Sequence, residues 1–324
     1  MTDWLNALND AWNGLARIAP VARQYRTMLI SEEMPLDILA GMRASDNAPC
    51  LMLQTVIAPQ ALFELGGMRL TTVPDTEGTY IVLSLEDAAR RDLFTTICAD
   101  VTATAAHADR PNARNQFLAR LDAWRQFLRD RREGLSRSDT IGLIGELIVL
   151  EQLIGHPRGL AVWDSPNDGL HDFLASGHAL EVKASLGPAP TITISRLDQL
   201  DTSGLARLDL LHVRLVELAD GRSLADVIDA VATSLPDDTS RRSFENALLR
   251  RGLMPDDDVA RIAPRFQFRS VDAYTVTDGF PRLIRTILPA AITDATYSLD
   301  LRSLAAFSTD TANVLDSFIH GEAA

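Results

Sequence analysis

The stretch HDFLASGHALEVKAS, residues 171–185, places two acids and a lysine in an otherwise apolar segment. Its two runs, LHDFLA and HALEVKAS, are typical of β-strands and are joined by a Ser-Gly pair, which predicts a hairpin. Residues two apart on a strand face the same way, so Glu181 and Lys183 share one face. The hairpin brings Asp172, on the first strand, beside Glu181. The chain must therefore adopt a fold that tolerates these three charges together.

A divalent cation would make this cluster favourable. Two carboxylates in one partly dry site repel each other, and one would be protonated unless a cation lies between them. Mg²⁺ in proteins takes one or two carboxylates together with waters and substrate phosphate. With Mg²⁺ at Asp172 and Glu181, Lys183 could orient or help deprotonate an attacking water, or balance charge on a phosphate. This set of groups suits phosphodiester hydrolysis.

A third acid lies in a second apolar segment. Residues 141–150, IGLIGELIVL, carry a single charged side chain, Glu146, and their pattern predicts a buried helix. An unpaired buried carboxylate costs several kcal/mol, so Glu146 needs a partner, and the metal ion or Lys183 could provide it. Gly142 and Gly145 would let this helix approach the sheet closely.

Each of these features also has a structural interpretation. A Glu-X-Lys triplet on a strand is often a surface salt bridge, and buried acids can be paired with arginines for structural reasons alone. The combination of Glu146 in an apolar helix with Asp172 in an apolar strand makes the structural interpretation less favourable than a site.

The pattern of elements divides the chain into three regions. Residues 1–110 begin with an amphipathic helix and continue with short apolar runs separated by Pro, Gly and Asp, which predicts an α+β domain. Residues 111–235 contain an amphipathic helix, the helix of Glu146 and four strands, which predicts a mixed α/β core. Residues 236–324 predict an α/β extension packed on that core.

Charge and composition exclude several classes. The formal charge of −13 argues against binding nucleic acid by bulk electrostatics, so such binding would need a local basic patch, a metal ion or a partner subunit. No run approaches the ~20 apolar residues that span a bilayer, and no secretory signal is evident, which predicts a cytoplasmic protein without a membrane partner. Two cysteines are too few for a disulfide framework. The GxSxG, P-loop and HExxH motifs are absent.

In order and spacing, Glu146, Asp172, Glu181 and Lys183 resemble the motif of the PD-(D/E)XK nuclease superfamily, which has the restriction-endonuclease-like fold. More narrowly, the segments GLIGELIVL, HDF, EVK, ISRLDQLD and DGFPR are similar to a bacterial family of PD-(D/E)XK motif proteins found with phage-defence and restriction–modification gene clusters. The resemblance implies an α-β-β-β-α-β core, with TITIS, residues 191–195, as its third strand. His171 stands where the motif has proline.

The resemblance also implies roles for individual residues. Asp172 and Glu181 would hold Mg²⁺, for which Mn²⁺ can substitute, together with the carbonyl of Val182. Lys183 would assist the attacking water. Glu146 would either bind a second metal ion or position the metal ligands without contacting the ion itself. Gln199 follows the third strand, where related nucleases often carry a glutamine that reaches the site; its alternative is a turn-capping role.

The function implied is that of a Mg²⁺-dependent DNA endonuclease, the cleaving subunit of a restriction or phage-defence system. Cutting both strands needs two sites, so we expect a homodimer or partner subunits. Two alternatives remain. One is a DNA-binding or scaffolding subunit that keeps the fold without cutting, which the presence of all four motif residues disfavours. The other is a nuclease acting on RNA or on branched or damaged DNA.

Overall fold

The structure is a computed structural model that describes residues 3–19, 24–55, 62–75, 78–130, 135–155, 158–255 and 264–321. It divides into two compact units, Met1–Arg132 and Glu133–Ala324. The boundary differs from the predicted division after residue 110 because the helix Arg110–Asp130 packs with the first unit. The second unit contains both the predicted core and the predicted extension.

In its described residues, the first unit is an antiparallel sheet with three α-helices. Its helices are α1 (Trp4–Ala16), α2 (Arg91–Ala106) and α3 (Arg110–Asp130), and its strands are β1 (Tyr25–Leu29), β2 (Ile38–Arg43), β3 (Pro49–Thr55), β4 (Phe63–Leu65), β5 (Met68–Asp75) and β6 (Gly78–Leu85). The strand order is β1-β2-β3-β6-β5-β4, with every neighbouring pair antiparallel. The unit therefore has the α+β character that the short apolar runs predicted.

The apolar stripe of α1 explains how this helix joins the unit. Leu8, Trp12 and Leu15 recur at helical spacing and are all buried. The indole of Trp12 donates a hydrogen bond to the carbonyl oxygen of Cys50 on β3. Cys50 and Cys98 are both buried free thiols.

The second unit carries the predicted hairpin and the helix of Glu146. Its helices are α4 (Arg137–Leu153), α5 (Leu224–Ser234), α6 (Asp238–Arg250) and α7 (Thr311–His320), and its strands are β7 (Phe173–Ala175), β8 (His178–Leu186), β9 (Thr191–Ile194), β10 (Arg207–Arg222), β11 (Phe266–Thr275), β12 (Tyr297–Asp300) and β13 (Ser308–Thr309). Five strands form a mixed sheet in the order β13-β11-β10-β8-β7, in which β8 and β10 are parallel and the other neighbours are antiparallel.

The third strand of the predicted α-β-β-β-α-β core is not the strand that the sequence indicated. The predicted third core strand is β9, which pairs with β12 in a separate two-stranded sheet. Only alternate residues of β9 are buried, whereas Leu208–Val213 of β10 are buried on both faces. A strand buried on both faces suits the centre of a sheet, and β10 accordingly lies between β8 and β11.

Helix α4 packs closely on β8. It begins with a capping box in which the Ser136 side chain accepts from the Asp139 backbone N–H. A Cβ atom built on Gly145 would lie 2.6 Å from the Cβ of Ala184, so the missing side chain permits the approach. Around Gly142, by contrast, no atom among the described residues lies within 4 Å of such a Cβ. The prediction of close approach is confirmed for Gly145 and wrong for Gly142.

Candidate active site

The hairpin places Asp172 opposite Glu181. The β7–β8 pairing matches Phe173 with Leu180, and the next pair in the same antiparallel register is Asp172 with Glu181. The turn residues Ser176 and Gly177 both have positive φ, of 50° and 84°, as expected for a two-residue turn that matches the twist of the strands. A carboxylate oxygen of Asp172 accepts a 2.7 Å hydrogen bond from the backbone N–H of Val182. Turn and register together fix the two acids side by side.

Glu181 and Lys183 form a largely buried ion pair on β8. Lys183 Nζ donates to Glu181 Oε1 at 2.6 Å, and the Glu181 side chain is only 1% exposed. Within the described part of the chain, the second oxygen, Oε2, is buried and has no hydrogen-bond partner. The nearest ring nitrogen, His171 Nδ1, lies 3.8 Å from Oε2, and it too is buried without a described partner. One oxygen of Glu181 thus remains free to bind a cation.

Burial and neighbouring acids act together on Asp172. Burial raises the pKa of its carboxyl well above the usual range, and the charges of Glu181 and Glu146 raise it further. Lys183 and the Val182 N–H oppose this pKa shift without reversing it. Ionisation of Asp172 is therefore unfavourable unless a further cation binds beside it.

At Lys183, burial and the neighbouring acids act against each other. Burial lowers its pKa, but Glu181 and Asp172 more than compensate, so the pKa lies above the ordinary value. Lys183 is therefore an ammonium at neutral pH, suited to donating hydrogen bonds to water or phosphate. It is also the only lysine in the chain.

Glu146 is buried, as predicted, but its partners are not the ones that the sequence suggested. Its Oε1 accepts from a terminal guanidinium nitrogen of Arg251 at 2.5 Å, and its Oε2 accepts from the indole N–H of Trp163 at 2.9 Å. Arg251 lies 105 positions later, at the C-terminal end of α6. Neither residue was expected at the site, and only the requirement that a buried acid be paired pointed to a partner at all.

Gln199 closes a turn. Its side-chain oxygen accepts from the backbone N–H and the hydroxyl of Ser195 and from the backbone N–H of Arg196, at 3.0–3.1 Å. This geometry corresponds to the turn-capping alternative. A contact between Gln199 and substrate stays a prediction.

A further polar side chain, that of His212 on β10, lies beside Lys183 of β8. His212 is paired in register with Lys183 on one side and with Asp272 on the other. Its Nε2 lies 2.8 Å from the hydroxyl of Ser185, and burial, reinforced by the charge of Arg214, lowers its pKa to about 4. Sequence reasoning missed His212 because the surrounding run is a continuous apolar strand.

A comparison with known families gives the context of this arrangement. The family model described as "Putative PD-(D/E)XK family member, (DUF4420)" matches residues 8–302. The chain belongs to this PD-(D/E)XK family. The match includes Glu146, Asp172, Glu181 and Lys183, and it confirms the resemblance found in the sequence. Searches of curated proteins and of solved structures gave no match.

PD-(D/E)XK nucleases typically use divalent metal ions, so the fit of such an ion can be tested against these residues. Among the described residues, no group of three or more His, Cys, Asp and Glu side chains is placed to hold a metal ion. The pair Asp172 and Glu181 does fit one, because Glu181 Oε2 has no described partner and Lys183 does not offset the effects of burial and the neighbouring acids on Asp172. Mg²⁺ requires only one or two protein carboxylates, with waters and phosphate completing its shell. The role of the Val182 carbonyl stays a prediction.

No helix in the described ranges is long and apolar enough to cross a bilayer.

Proposed function

We propose that this protein is a Mg²⁺-dependent nuclease that hydrolyses phosphodiester bonds in DNA, as the cleaving subunit of a bacterial restriction or phage-defence system. One observation carries the proposal. Glu181 is almost fully buried and lies opposite Asp172. One of its carboxylate oxygens accepts a hydrogen bond from Lys183, and the other has no described partner. A buried acid left half-paired beside a second acid has a clear use if a cation binds there.

Each side chain then has a task. Asp172 and Glu181 hold the ion, with the Val182 carbonyl as a further ligand, and the Val182 N–H fixes the Asp172 carboxylate. Bound Mg²⁺ supplies Lewis acidity and lowers the pKa of coordinated water. Lys183 donates hydrogen bonds to the attacking water or to a phosphate oxygen, and balances the charge that develops there. The products are a 5′-phosphate and a 3′-hydroxyl.

The acidic chain makes a partner important. A formal charge of −13 repels a polyanion, so affinity for DNA by an isolated chain should be modest. Double-strand cutting also needs two such sites. A homodimer or a partner subunit from the same gene cluster would supply the second site, and a basic partner subunit would also supply a positive surface.

A second candidate is a subunit that keeps the nuclease fold without cutting. The observation favouring it is the pairing of Glu146 with Arg251 and Trp163, which removes one motif acid from direct use. A third candidate, cleavage of RNA or of branched or damaged DNA, rests on the same chemistry and differs only in substrate.

A cleavage panel tests these alternatives. Supercoiled, linear, single-stranded, branched and modified DNA, and RNA, would each be incubated with Mg²⁺ or with EDTA, with and without the products of neighbouring genes. We expect Mg²⁺-dependent cutting of DNA that falls by about 10²–10³-fold in Lys183→Ala. Arg302→Ala serves as the control, because Arg302 is exposed and pairs only locally with Asp300 among the described residues.

Two results would count against the proposal. Absence of cutting under all conditions would favour the non-catalytic subunit. Full activity in Lys183→Ala would show that the lysine has no part in the reaction.

A further inference from the structure

The two buried glutamates of the site are in different states. Glu146 has a donor on each oxygen, from Arg251 at 2.5 Å and from Trp163 at 2.9 Å. Glu181 has a donor on one oxygen and none described on the other. A metal ion binding at Glu146 would first have to break its contacts with Arg251 or Trp163, whereas one at Glu181 would not.

The contact between Glu146 and Arg251 is well protected from water. The side chains are 5% and 18% exposed, respectively. Removing one partner from such a pair leaves an uncompensated buried charge, which is strongly unfavourable. Arg251 is also always charged, since a guanidinium does not lose its proton in proteins. Glu146 therefore already has a permanent cation.

The balance of charge agrees with this assignment. Three carboxylates, those of Glu146, Asp172 and Glu181, meet two fixed cations, Lys183 and Arg251. With all three carboxylates ionised the net charge is −1, and one divalent ion changes it to +1, which matches the single negative charge of a phosphodiester. A second divalent ion would leave a large positive excess in a buried site.

We propose that the site binds a single divalent ion, at Asp172 and Glu181, and that Arg251 occupies the position of a second one. Glu146 is then the anchor of Arg251 and not a metal ligand. Trp163 and Arg251 hold its carboxylate from two sides, and Arg251 acts as a positioning residue that balances charge. This inference rests on the proposed function, because it assumes that the Asp172–Glu181 pair binds metal.

The test is a titration of the full chain with Mn²⁺ in the absence of nucleic acid. Binding is measured as the loss of the free-ion signal in electron paramagnetic resonance. The wild type is expected to bind one Mn²⁺ per chain. Glu181→Gln removes a ligand and is expected to weaken binding by about tenfold or more. The double variant Glu146→Gln/Arg251→Gln removes the anchor pair without changing the net charge, and is expected to weaken binding less than Glu181→Gln does.

Arg251→Lys provides a second arm should the double variant fail to fold, which thermal unfolding would reveal. It keeps a cation beside Glu146, so binding should remain at one ion per chain. Two ions on the wild type or on Arg251→Lys would overturn the inference, as would a loss of affinity in a folded double variant as large as that in Glu181→Gln. A wild type that binds no Mn²⁺ would overturn both this inference and the metal site of the proposed function, whereas two bound ions would overturn this inference alone.

Discussion

Lys183 Nζ lies 2.6 Å from Oε1 of Glu181, and the two residues are neighbours on one face of β8. Leu180 and Val182, which alternate with them, belong to the apolar core that includes α4. The same strand thus builds core on one face and an ion pair on the other. Of the neighbouring acids, Glu181 does most to raise the pKa of Lys183, and Asp172 adds to this effect.

The first prediction concerns the pKa of Lys183. Reductive methylation with ¹³C-formaldehyde labels the only lysine, so one side-chain resonance can be followed by NMR apart from that of the terminal amine. In metal-free protein the pKa should exceed 10.5, because Glu181 and Asp172 outweigh burial. Glu181→Gln removes the larger of these two influences and should lower the pKa.

The raised pKa of Lys183 also makes the free energy of unfolding depend on pH. A raised lysine pKa contributes stability that is complete below the unfolded value of 10.5 and is lost as pH rises through the folded value. Glu217→Gln is the control, because Glu217 pairs with Arg137 at an exposed position. An unchanged Lys183 pKa in Glu181→Gln would contradict the ion pair.

The second prediction concerns the buried charge of Asp172. Its folded pKa lies above the usual 3.8, so in the absence of metal its contribution to stability falls as pH rises above 3.8. Asp172→Asn keeps an acceptor for the Val182 N–H and removes the charge. In EDTA at pH 8, urea unfolding should show the variant to be more stable by about 1–3 kcal/mol.

Metal provides the matching control for Asp172. Mg²⁺ should stabilise the wild type by mass action, because it binds the folded state, and should have little effect on Asp172→Asn. The stability gain of the variant in EDTA should also shrink between pH 8 and pH 5. A variant less stable than the wild type at pH 8 would show that the ionised carboxylate is compensated within the protein.

The third prediction concerns His212. Its pKa falls from 6.5 to about 4, chiefly through burial. Between these two pKa values, His212 is protonated in the unfolded chain and neutral in the folded protein. The free energy of unfolding therefore decreases as pH falls from 6.5 towards 4. His212→Gln retains a polar group near Ser185 and does not titrate, so its stability should fall less over this interval, by about 1–2 kcal/mol.

Urea unfolding at several pH values between 7 and 4 measures this difference. His320→Gln is a suitable control, since His320 is exposed on α7 and hydrogen-bonds only with its own helix among the described residues. Parallel stability profiles for the wild type and His212→Gln would contradict a neutral, buried His212.

Local patterns in the sequence were enough to predict the hairpin and its acids. Strand alternation places Glu181 and Lys183 on one face, and the two-residue turn brings Asp172 opposite. The apolar run around Glu146 was enough to predict its burial. In each case the deciding interaction acts within one element or across one turn, where spacing alone determines geometry.

The rest depends on tertiary packing between distant segments. Arg251 reaches Glu146 because α6 ends beside α4, and nothing in the residues around Arg251 distinguishes it from an arginine on a solvated helix face. The position of β9 outside the main sheet depends likewise on β12, which follows about a hundred residues later. Periodicity can identify such strands but cannot assign their partners.

The last prediction uses two glycines of α4 that differ only in what lies beside them. Gly145→Ala places a methyl group 2.6 Å from the Cβ of Ala184, so helix or sheet must shift, and we expect a loss of about 1–3 kcal/mol in the free energy of unfolding. Gly142→Ala meets no described atom within 4 Å and should gain about 0.5–1 kcal/mol from improved helix propensity. Urea unfolding would measure both changes. Adding Ala184→Gly should restore the stability of Gly145→Ala by making room for the methyl group. Equal effects of the two single substitutions would show that α4 does not depend on Gly145 for its contact with β8.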